Sequence, residues 1–177
     1  MKKFSSLPFI TLLMVSCGPH SNIHSTEMQN SEDSLTYPYQ ATHASDLTIP
    51  AKPEVGQVVL TIWKMFENKQ IDSLKKYYAD TVSYENAEGN LFHGPADSLL
   101  LYAKSDVQGL DSLRFDISFW QSLHINSKNE DWVYIWASER RYSKGGKADT
   151  TLIHEQWKVE NGRVTYFNQY TRKPPKK

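Results

Sequence analysis

The sequence predicts an α+β domain, with N-terminal helices packed on one face of a strongly curved, mostly antiparallel mixed sheet. Two observations support this fold class. Apolar residues recur at helical spacing from residue 53 onward, whereas residues 114–170 alternate apolar and polar side chains and are rich in aromatic and β-branched residues. Because the helices precede a block of strands, we expect them to cover one face of the sheet.

Three helices are predicted. The first begins at Pro53, a residue that suits the first turn of a helix. Its apolar stripe follows i, i+3, i+4, i+7, i+11 spacing and consists of Val55, Val58, Val59, Ile62 and Phe66. A second helix is predicted from Ile71 to about Asp80. A third is predicted after Gly94, with Pro95 at its start.

Six strands are predicted. A short pair, joined by a turn at Glu88-Gly89-Asn90, precedes the third helix, and four longer strands follow it. The longer strands cover residues 114–125, 132–142, 149–159 and 163–170. Asn161-Gly162 is the clearest turn signal, because Asn-Gly between two alternating runs favours a tight hairpin.

The glycine-containing turns predict a strand register. With Gly145-Gly146 and Asn161-Gly162 as two-residue loops, Glu155 lies opposite both Trp136 and Asn168. One sheet face then carries Trp132, Tyr134, Trp136, Ile153, Glu155, Trp157, Val159, Val164, Tyr166 and Asn168, and the other carries Val133, Ile135, Ala137, His154, Gln156, Phe167 and Gln169. A slip of one residue at either turn would invert part of this assignment.

Residues 1–16 have the layout of a secretory signal peptide. Two lysines precede an apolar run at residues 7–15, which is shorter than the roughly 20 residues of a membrane-spanning helix. Met14-Val15-Ser16-Cys17 resembles the lipobox of bacterial lipoproteins. The resemblance implies lipidation of Cys17 and anchoring to a membrane of the cell envelope, here expected to be the outer membrane. Ordinary secretion with a free Cys17 thiol is the alternative.

Residues 17–50 are predicted to form a disordered tether between the lipid and the domain. This stretch is rich in Ser, Thr, Asn and His and shows neither helical nor strand periodicity. Such a segment cannot bury enough apolar surface to offset its ordering entropy. The folded domain is therefore expected to span residues 51–177.

Composition and motifs argue against several function classes. Lys plus Arg and Asp plus Glu are balanced at 20 each, so the chain lacks the concentrated basic charge that nucleic-acid binding requires. A Gly-rich phosphate loop and a Gly-x-Ser-x-Gly nucleophile motif are both missing from the sequence. His124 and His154 have no metal-ligand spacing with another histidine or carboxylate, so neither a metal nor a cofactor is expected.

The element order resembles that of the SnoaL-like group, whose domains have the cone-shaped fold of nuclear transport factor two. The resemblance rests on Phe92-His93-Gly94 before the third helix and on the hairpin sequence of residues 154–164, and it covers residues 53–172. It implies a cone-shaped domain in which the helix-facing side of the sheet lines a pocket.

The predicted register places Glu155 in this pocket, ringed by Tyr134, Trp136, Trp157, Tyr166 and Asn168. A carboxyl group in apolar surroundings has a raised pKa and can transfer protons near neutral pH. The resemblance to isomerases and dehydratases of this fold therefore implies an acid–base hypothesis. Glu155 would move a proton, Tyr84 or Tyr166 would stabilise an oxyanion, and Asn168 would orient the carboxylate or the substrate. The resemblance also allows His93 to lie at the pocket mouth and bind a ligand, and a role at the surface or in the turn before the third helix is the favoured alternative.

Three interpretations of the pocket remain open. Glu155 can be a hydrogen-bonded structural group, the pocket can bind a small hydrophobic or aromatic ligand, or it can catalyse a reaction of the isomerase, dehydratase or cyclase type. The leading expectation is noncatalytic, either ligand binding or scaffolding. An open, ligand-sized cavity would favour binding or chemistry, and a filled cavity would favour a structural role.

The opposite sheet face suggests a different class of function. Val133, Ile135 and Phe167 fall on this face in the predicted register, and an exposed apolar patch is a common interaction surface. Proteins of this fold often dimerise through the same face, so the resemblance implies a homodimer.

Overall fold

The structure, a computed structural model, describes residues 48–176. The predicted signal peptide, Cys17 and most of the predicted tether lie outside the described residues. Thr48–Pro50, which the sequence assigns to the end of the tether, forms a short strand that pairs with residues 123–125.

Two α-helices and seven strands make up the described part of the chain. The helices are α1 (Pro53–Glu67) and α2 (Ala96–Gln108). The strands are β1 (Thr48–Pro50), β2 (Tyr78–Glu85), β3 (Leu91–Pro95), β4 (Leu110–Ile125), β5 (Glu130–Ser143), β6 (Ala148–Glu160) and β7 (Arg163–Arg172). Neither helix within residues 48–176 is long and apolar enough to cross a membrane.

The seven strands form one mixed sheet in the order β1-β4-β5-β6-β7-β2-β3. β2 pairs in parallel with β7, and the other neighbouring strands are antiparallel. Both helices pack on the same sheet, and their apolar residues join those of the strands in one buried cluster. The predicted α+β class is confirmed.

The first predicted helix is confirmed, and the second is wrong. α1 buries Val59, Ile62 and Trp63 against the sheet, as its apolar stripe predicts. Where the second helix was expected, two 3-10 turns at Ile71–Ser73 and Lys75–Tyr77 lead directly into β2. Tyr78 is extended because it pairs with β7, and this sheet pairing overrides the local helical spacing.

The loop between β5 and β6 has three residues, which corrects the first part of the predicted register. The Ser143 N–H donates to the Lys147 carbonyl over 2.9 Å, so Lys144, Gly145 and Gly146 form the loop. Both glycines adopt positive φ, at 102° and 80°. The additional loop residue shifts the pairing by one position, and Glu155 lies opposite Ile135 instead of Trp136.

A β-bulge in β7 corrects the second part of the predicted register, the pairing of β6 with β7. Asn161 and Gly162 form the tight turn that the sequence predicts, with φ values of 51° and 74°, and Val159 pairs with Val164. Thr165 is then an additional residue in β7, so that Lys158 pairs with Tyr166. Beyond the bulge the face assignment of β7 is inverted, and Glu155 pairs with Gln169 rather than Asn168.

Candidate functional site

A cavity of about 250 Å³ lies between the two helices and the inner face of the sheet. The helices contribute apolar residues such as Ile62 and Leu100, and the strands contribute both aromatic and ionisable side chains. The exposed residues Glu88, Tyr102 and Asp106 border the cavity, whereas Glu155 is only 5% exposed. The cavity therefore has an accessible mouth and a deeply buried carboxyl group.

Glu155 is positioned by β6 and held by neutral hydrogen-bond donors, which include Trp63 besides the two described next. Ile153, Trp157 and Val159 alternate with it along the strand and are buried on the same face. The Trp157 Nε1–H donates to Glu155 Oε2 over 2.9 Å, and the Gln169 Nε2–H donates to Glu155 Oε1 over 2.8 Å. The side chain is thus fixed in one orientation, and among residues 48–176 no cationic group pairs with it.

Burial raises the pKa of Glu155 from its ordinary value of 4.5 to about 7. The hydrogen bonds from Gln169 and Trp157 lower the pKa, and the charge of nearby Glu139 raises it again. Desolvation has the largest effect because the carboxyl group is removed from water. At neutral pH the group therefore exists in both protonation states, which is the condition for a general acid or base.

Two tyrosines share the cavity with Glu155. Burial raises the pKa of Tyr78 far above its ordinary value, and the charge of Glu155 adds to the shift. Burial also raises the pKa of Tyr84, with further contributions from Glu155, Tyr102, Glu88 and Asp106. Both phenols therefore stay protonated at neutral pH and can donate hydrogen bonds.

Arg141 links two carboxylates at one side of the cavity. Its guanidinium donates to both oxygens of Asp106, over 2.9 and 2.8 Å, and forms an ion pair with Glu139 at 3.0 Å. Burial alone would lower the pKa of Arg141, but the hydrogen bonds to Asp106 and Glu139 raise it above the ordinary value. This network connects α2 to β5 and gives the buried carboxylate of Glu139 a cationic partner.

An aromatic stack forms part of the cavity wall. Trp157 lies on Phe167 with ring centroids 4.3 Å apart, and Phe167 lies on Tyr84 at 4.4 Å. The three rings belong to the neighbouring strands β6, β7 and β2, in register with one another. Tyr84 and Trp157 are therefore the predicted pocket residues, besides Glu155, that the structure brings together.

The remaining predicted pocket residues lie elsewhere, and their placement in the pocket was wrong. Tyr134 and Trp136 are on the outer sheet face because of the three-residue loop, and Tyr166 and Asn168 are there because of the bulge at Thr165. The Asn168 Nδ2–H contacts the Tyr170 hydroxyl at 3.4 Å, and the Tyr166 hydroxyl donates to Glu85 at 3.3 Å. His93 is exposed, and its Nδ1 lies 2.9 Å from the Ser83 hydroxyl on β2, outside the cavity lining.

The inversion also corrects the predicted outer face. Val133, Ile135 and Phe167 are buried under the helices rather than exposed on the opposite side. In their place, the outer face carries an aromatic row across four strands, formed by Phe119, Trp136, His154 and Tyr170. The rings of Trp136 and His154 are nearly parallel and stacked, with centroids 4.4 Å apart.

Several residues of the site were missed by sequence reasoning, namely Tyr78, Asp106, Glu139, Arg141 and Gln169. Glu139 and Arg141 carry a usable signal, because they are two residues apart on a predicted strand and so share a face. Asp106 lies four residues beyond Tyr102 on the cavity side of α2. Gln169 could not be assigned to the pocket without knowledge of the bulge.

Comparison with known proteins shows the fold. No family model and no curated protein matches the chain. Among solved structures, an LEH-like epoxide hydrolase from M. tuberculosis superposes with a TM-score of 0.58 and 16% identity, and the match covers 70% of this chain and 86% of that chain. A nuclear-transport-factor-two-like protein of unknown function from Burkholderia pseudomallei superposes with a TM-score of 0.56 and 16% identity. The match covers 68% of this chain and 92% of that chain.

A third solved structure, described as a candidate SnoaL-like polyketide cyclase from Shewanella denitrificans, gives a TM-score of 0.54 and 14% identity, covering 68% of this chain and 92% of its own. The described residues thus have the SnoaL-like, nuclear-transport-factor-two-like fold. This fold is shared by ligand-binding proteins and by enzymes of the isomerase and cyclase type, so the function must be argued from the site.

Proposed function

We propose that this chain is a lipid-anchored envelope protein whose cone domain binds one small, largely apolar or aromatic molecule in the Glu155 cavity. The observation that carries the proposal is the cavity itself, which leaves about 250 Å³ between helices and sheet instead of being filled by side chains. Concave, mostly apolar sites with a few convergent polar groups are typical of small-molecule binding. Glu155, Tyr84 and Gln169 would orient the polar end of the ligand.

A noncatalytic role is favoured by the way Glu155 is held. Both carboxyl oxygens already accept hydrogen bonds from Trp157 and Gln169. These donors hold the carboxyl group in one orientation and still leave acceptor positions on its oxygens for a polar group of a ligand. Recognition of a ligand needs only the fixed carboxyl group and the apolar wall around it.

The test is to purify the full chain from its native host and identify small molecules by native mass spectrometry. Ala103→Phe on α2 fills the cavity from its helix side, because Ala103 lines it. Leu101→Phe, two residues away and 69% exposed, is the matched control. We expect a bound molecule in the wild-type protein and in Leu101→Phe, but not in Ala103→Phe. Equal occupancy in both variants would contradict the proposed site.

The second candidate function is acid–base catalysis with Glu155 as the proton-transfer group. It is favoured by the pKa of about 7, which matches the working range of a general acid or base. Tyr84 would donate a hydrogen bond to the developing oxyanion. The co-purified molecule would be incubated with the protein in D₂O. Deuterium incorporation by the wild-type chain but not by Glu155→Gln would support catalysis, and an unlabelled ligand would exclude proton exchange by this site.

The proposed anchor is tested separately. Metabolic labelling with a fatty-acid analogue should label the wild-type chain. Cell fractionation should find the labelled chain in the membrane fraction, because multiple acyl chains hold a protein firmly at a bilayer. The Cys17→Ser chain should carry no label and should leave the membrane fraction. Membrane retention of the unlabelled variant would show that Cys17 is not the anchor.

A further inference from the structure

We propose that the cavity selects an organic cation, a protonated amine or quaternary ammonium group on a small apolar or aromatic body. The inference rests on the proposed ligand-binding function and names its ligand class. It comes from the charge distribution of the cavity, the neutral partners of Glu155 and the aromatic wall.

The cavity is lined by more negative than positive groups. Four carboxyl side chains, Glu88, Asp106, Glu139 and Glu155, face one guanidinium, that of Arg141. The guanidinium is already shared between Asp106 and Glu139. Its charge is therefore compensated within the network, and the remaining carboxyl groups make the cavity favourable for a cation and unfavourable for an anion.

Glu155 would be the anchor for such a cation. Its hydrogen-bond donors, Trp157, Gln169 and Trp63, are all neutral. A buried carboxylate that is hydrogen-bonded but lacks a counter-charge is destabilised by its lost hydration. An ammonium group entering the cavity would supply the missing positive charge at a point where the low dielectric strengthens the attraction.

The tyrosines indicate that this negative field extends through the cavity. After burial, the main cause of the raised pKa of Tyr78 is the charge of Glu155. The pKa of Tyr84 is raised by burial and then by Glu155, Tyr102, Glu88 and Asp106. A field that opposes the formation of a phenolate also favours a bound cation.

The walls suit the apolar part of the ligand. Trp63, Phe115 and the stack of Trp157, Phe167 and Tyr84 line the cavity. Aromatic π-systems attract ammonium groups, and they also provide apolar contact for a hydrocarbon body. At the mouth, the exposed Glu88 would attract cations toward the entrance.

Three probes of the same size and different charge test the proposal. Benzylamine (a cation at neutral pH), benzyl alcohol and benzoate would be titrated into the full chain while the indole N–H signals of Trp63 and Trp157 are followed by NMR. We expect a dissociation constant at least about tenfold lower for benzylammonium than for benzyl alcohol, and no saturable binding of benzoate.

Each outcome decides the inference. Equal or tighter binding of benzyl alcohol or benzoate would overturn the cation preference while supporting the proposed ligand cavity. Absence of saturable binding of all three probes would overturn both proposals.

Single substitutions test which carboxyl groups cause the preference for a cation. Glu155→Gln should weaken benzylammonium binding by a factor at least about tenfold larger than the factor by which it weakens benzyl alcohol binding. Glu88→Gln changes an exposed position where folding is not at risk. It should weaken benzylammonium binding by a smaller factor than Glu155→Gln does. Glu160→Gln is the matched control, because Glu160 is an exposed carboxylate at the β6–β7 turn. Unchanged binding in both cavity variants would contradict the proposal.

Discussion

A buried carboxyl group without a cationic partner is costly, and two features at the level of single residues offset the cost for Glu155. Neutral donors from Trp157 and Gln169 satisfy its oxygens, and protonation removes its charge over part of the physiological pH range. The same two features make the group sensitive to pH and to its immediate neighbours. Both sensitivities can be measured.

Stability should depend on pH through Glu155. Its pKa is about 7 in the folded chain and near 4.5 when unfolded, so folding favours the protonated form. The contribution to the free energy of unfolding is fully present below about pH 4.5 and is lost as pH rises through 7, by about 3 kcal/mol. Glu155→Gln should lack this loss in urea unfolding at a series of pH values. Glu160→Gln should keep the wild-type dependence.

Gln169, rather than Asn168, should control the titration of Glu155. Gln169→Leu removes the 2.8 Å hydrogen bond to the ionised carboxylate, so the pKa of Glu155 should rise further. Asn168→Leu, one position away on the outer face, should leave the titration unchanged. Carboxyl ¹³C NMR of Glu-labelled protein measures the pKa of Glu155 in both variants. A changed pKa in Asn168→Leu alone would contradict the observed register.

Among the elements, the hairpin of β6 and β7 decides which side chains reach the cavity. Alternation places Val164 and Phe167 on opposite faces of a regular strand, because they are three residues apart. The bulge at Thr165 allows both to be buried on the inner face, where Phe167 stacks between Trp157 and Tyr84. The bulge is therefore stabilised by tertiary packing.

This origin explains what the sequence could and could not predict. The Asn161-Gly162 turn follows from local backbone preferences, and β6 reveals its inner face because Ile153, Glu155 and Trp157 alternate within one strand. The bulge is specified by contacts between β7, β6 and β2, for which the sequence of β7 alone has no signal. The three-residue loop at Gly145 is ambiguous for a similar reason, since two adjacent glycines permit several turn lengths.

The positive φ of Gly162 gives a test of the turn. Gly162→Ala would place a side chain at a φ of 74° with no atom within 4 Å of the new Cβ, so its cost is backbone strain of about 1 kcal/mol. Gly109→Ala is the matched control, because Gly109 has a φ of −79° and is equally unobstructed. It should be neutral or slightly stabilising in urea unfolding. Equal destabilisation by both changes would contradict the turn conformation.

For the whole molecule, the aromatic row on the outer face is the surface through which we propose that the chain dimerises. Phe119, Trp136 and Tyr170 are 51%, 39% and 53% exposed, and large exposed aromatic groups on a sheet are typical of interaction sites. Trp136→Glu should shift a dimer to monomer in analytical ultracentrifugation, because it buries an unpaired charge in the interface. Leu101→Glu on α2 should not. A monomeric wild-type chain would contradict the proposed interface.

The parallel pairing of β2 with β7 has a consequence for when the chain can fold. Ser83 pairs with Tyr166, so β2 and β3 join the sheet through the last strand of the described residues. A ribosome must therefore synthesise β7 before the sheet can be completed, and such long-range pairing is slow to form. A chain that is exported as proposed would consequently be unable to complete its sheet until β7 has been made, although β4, β5 and β6 can pair with one another earlier.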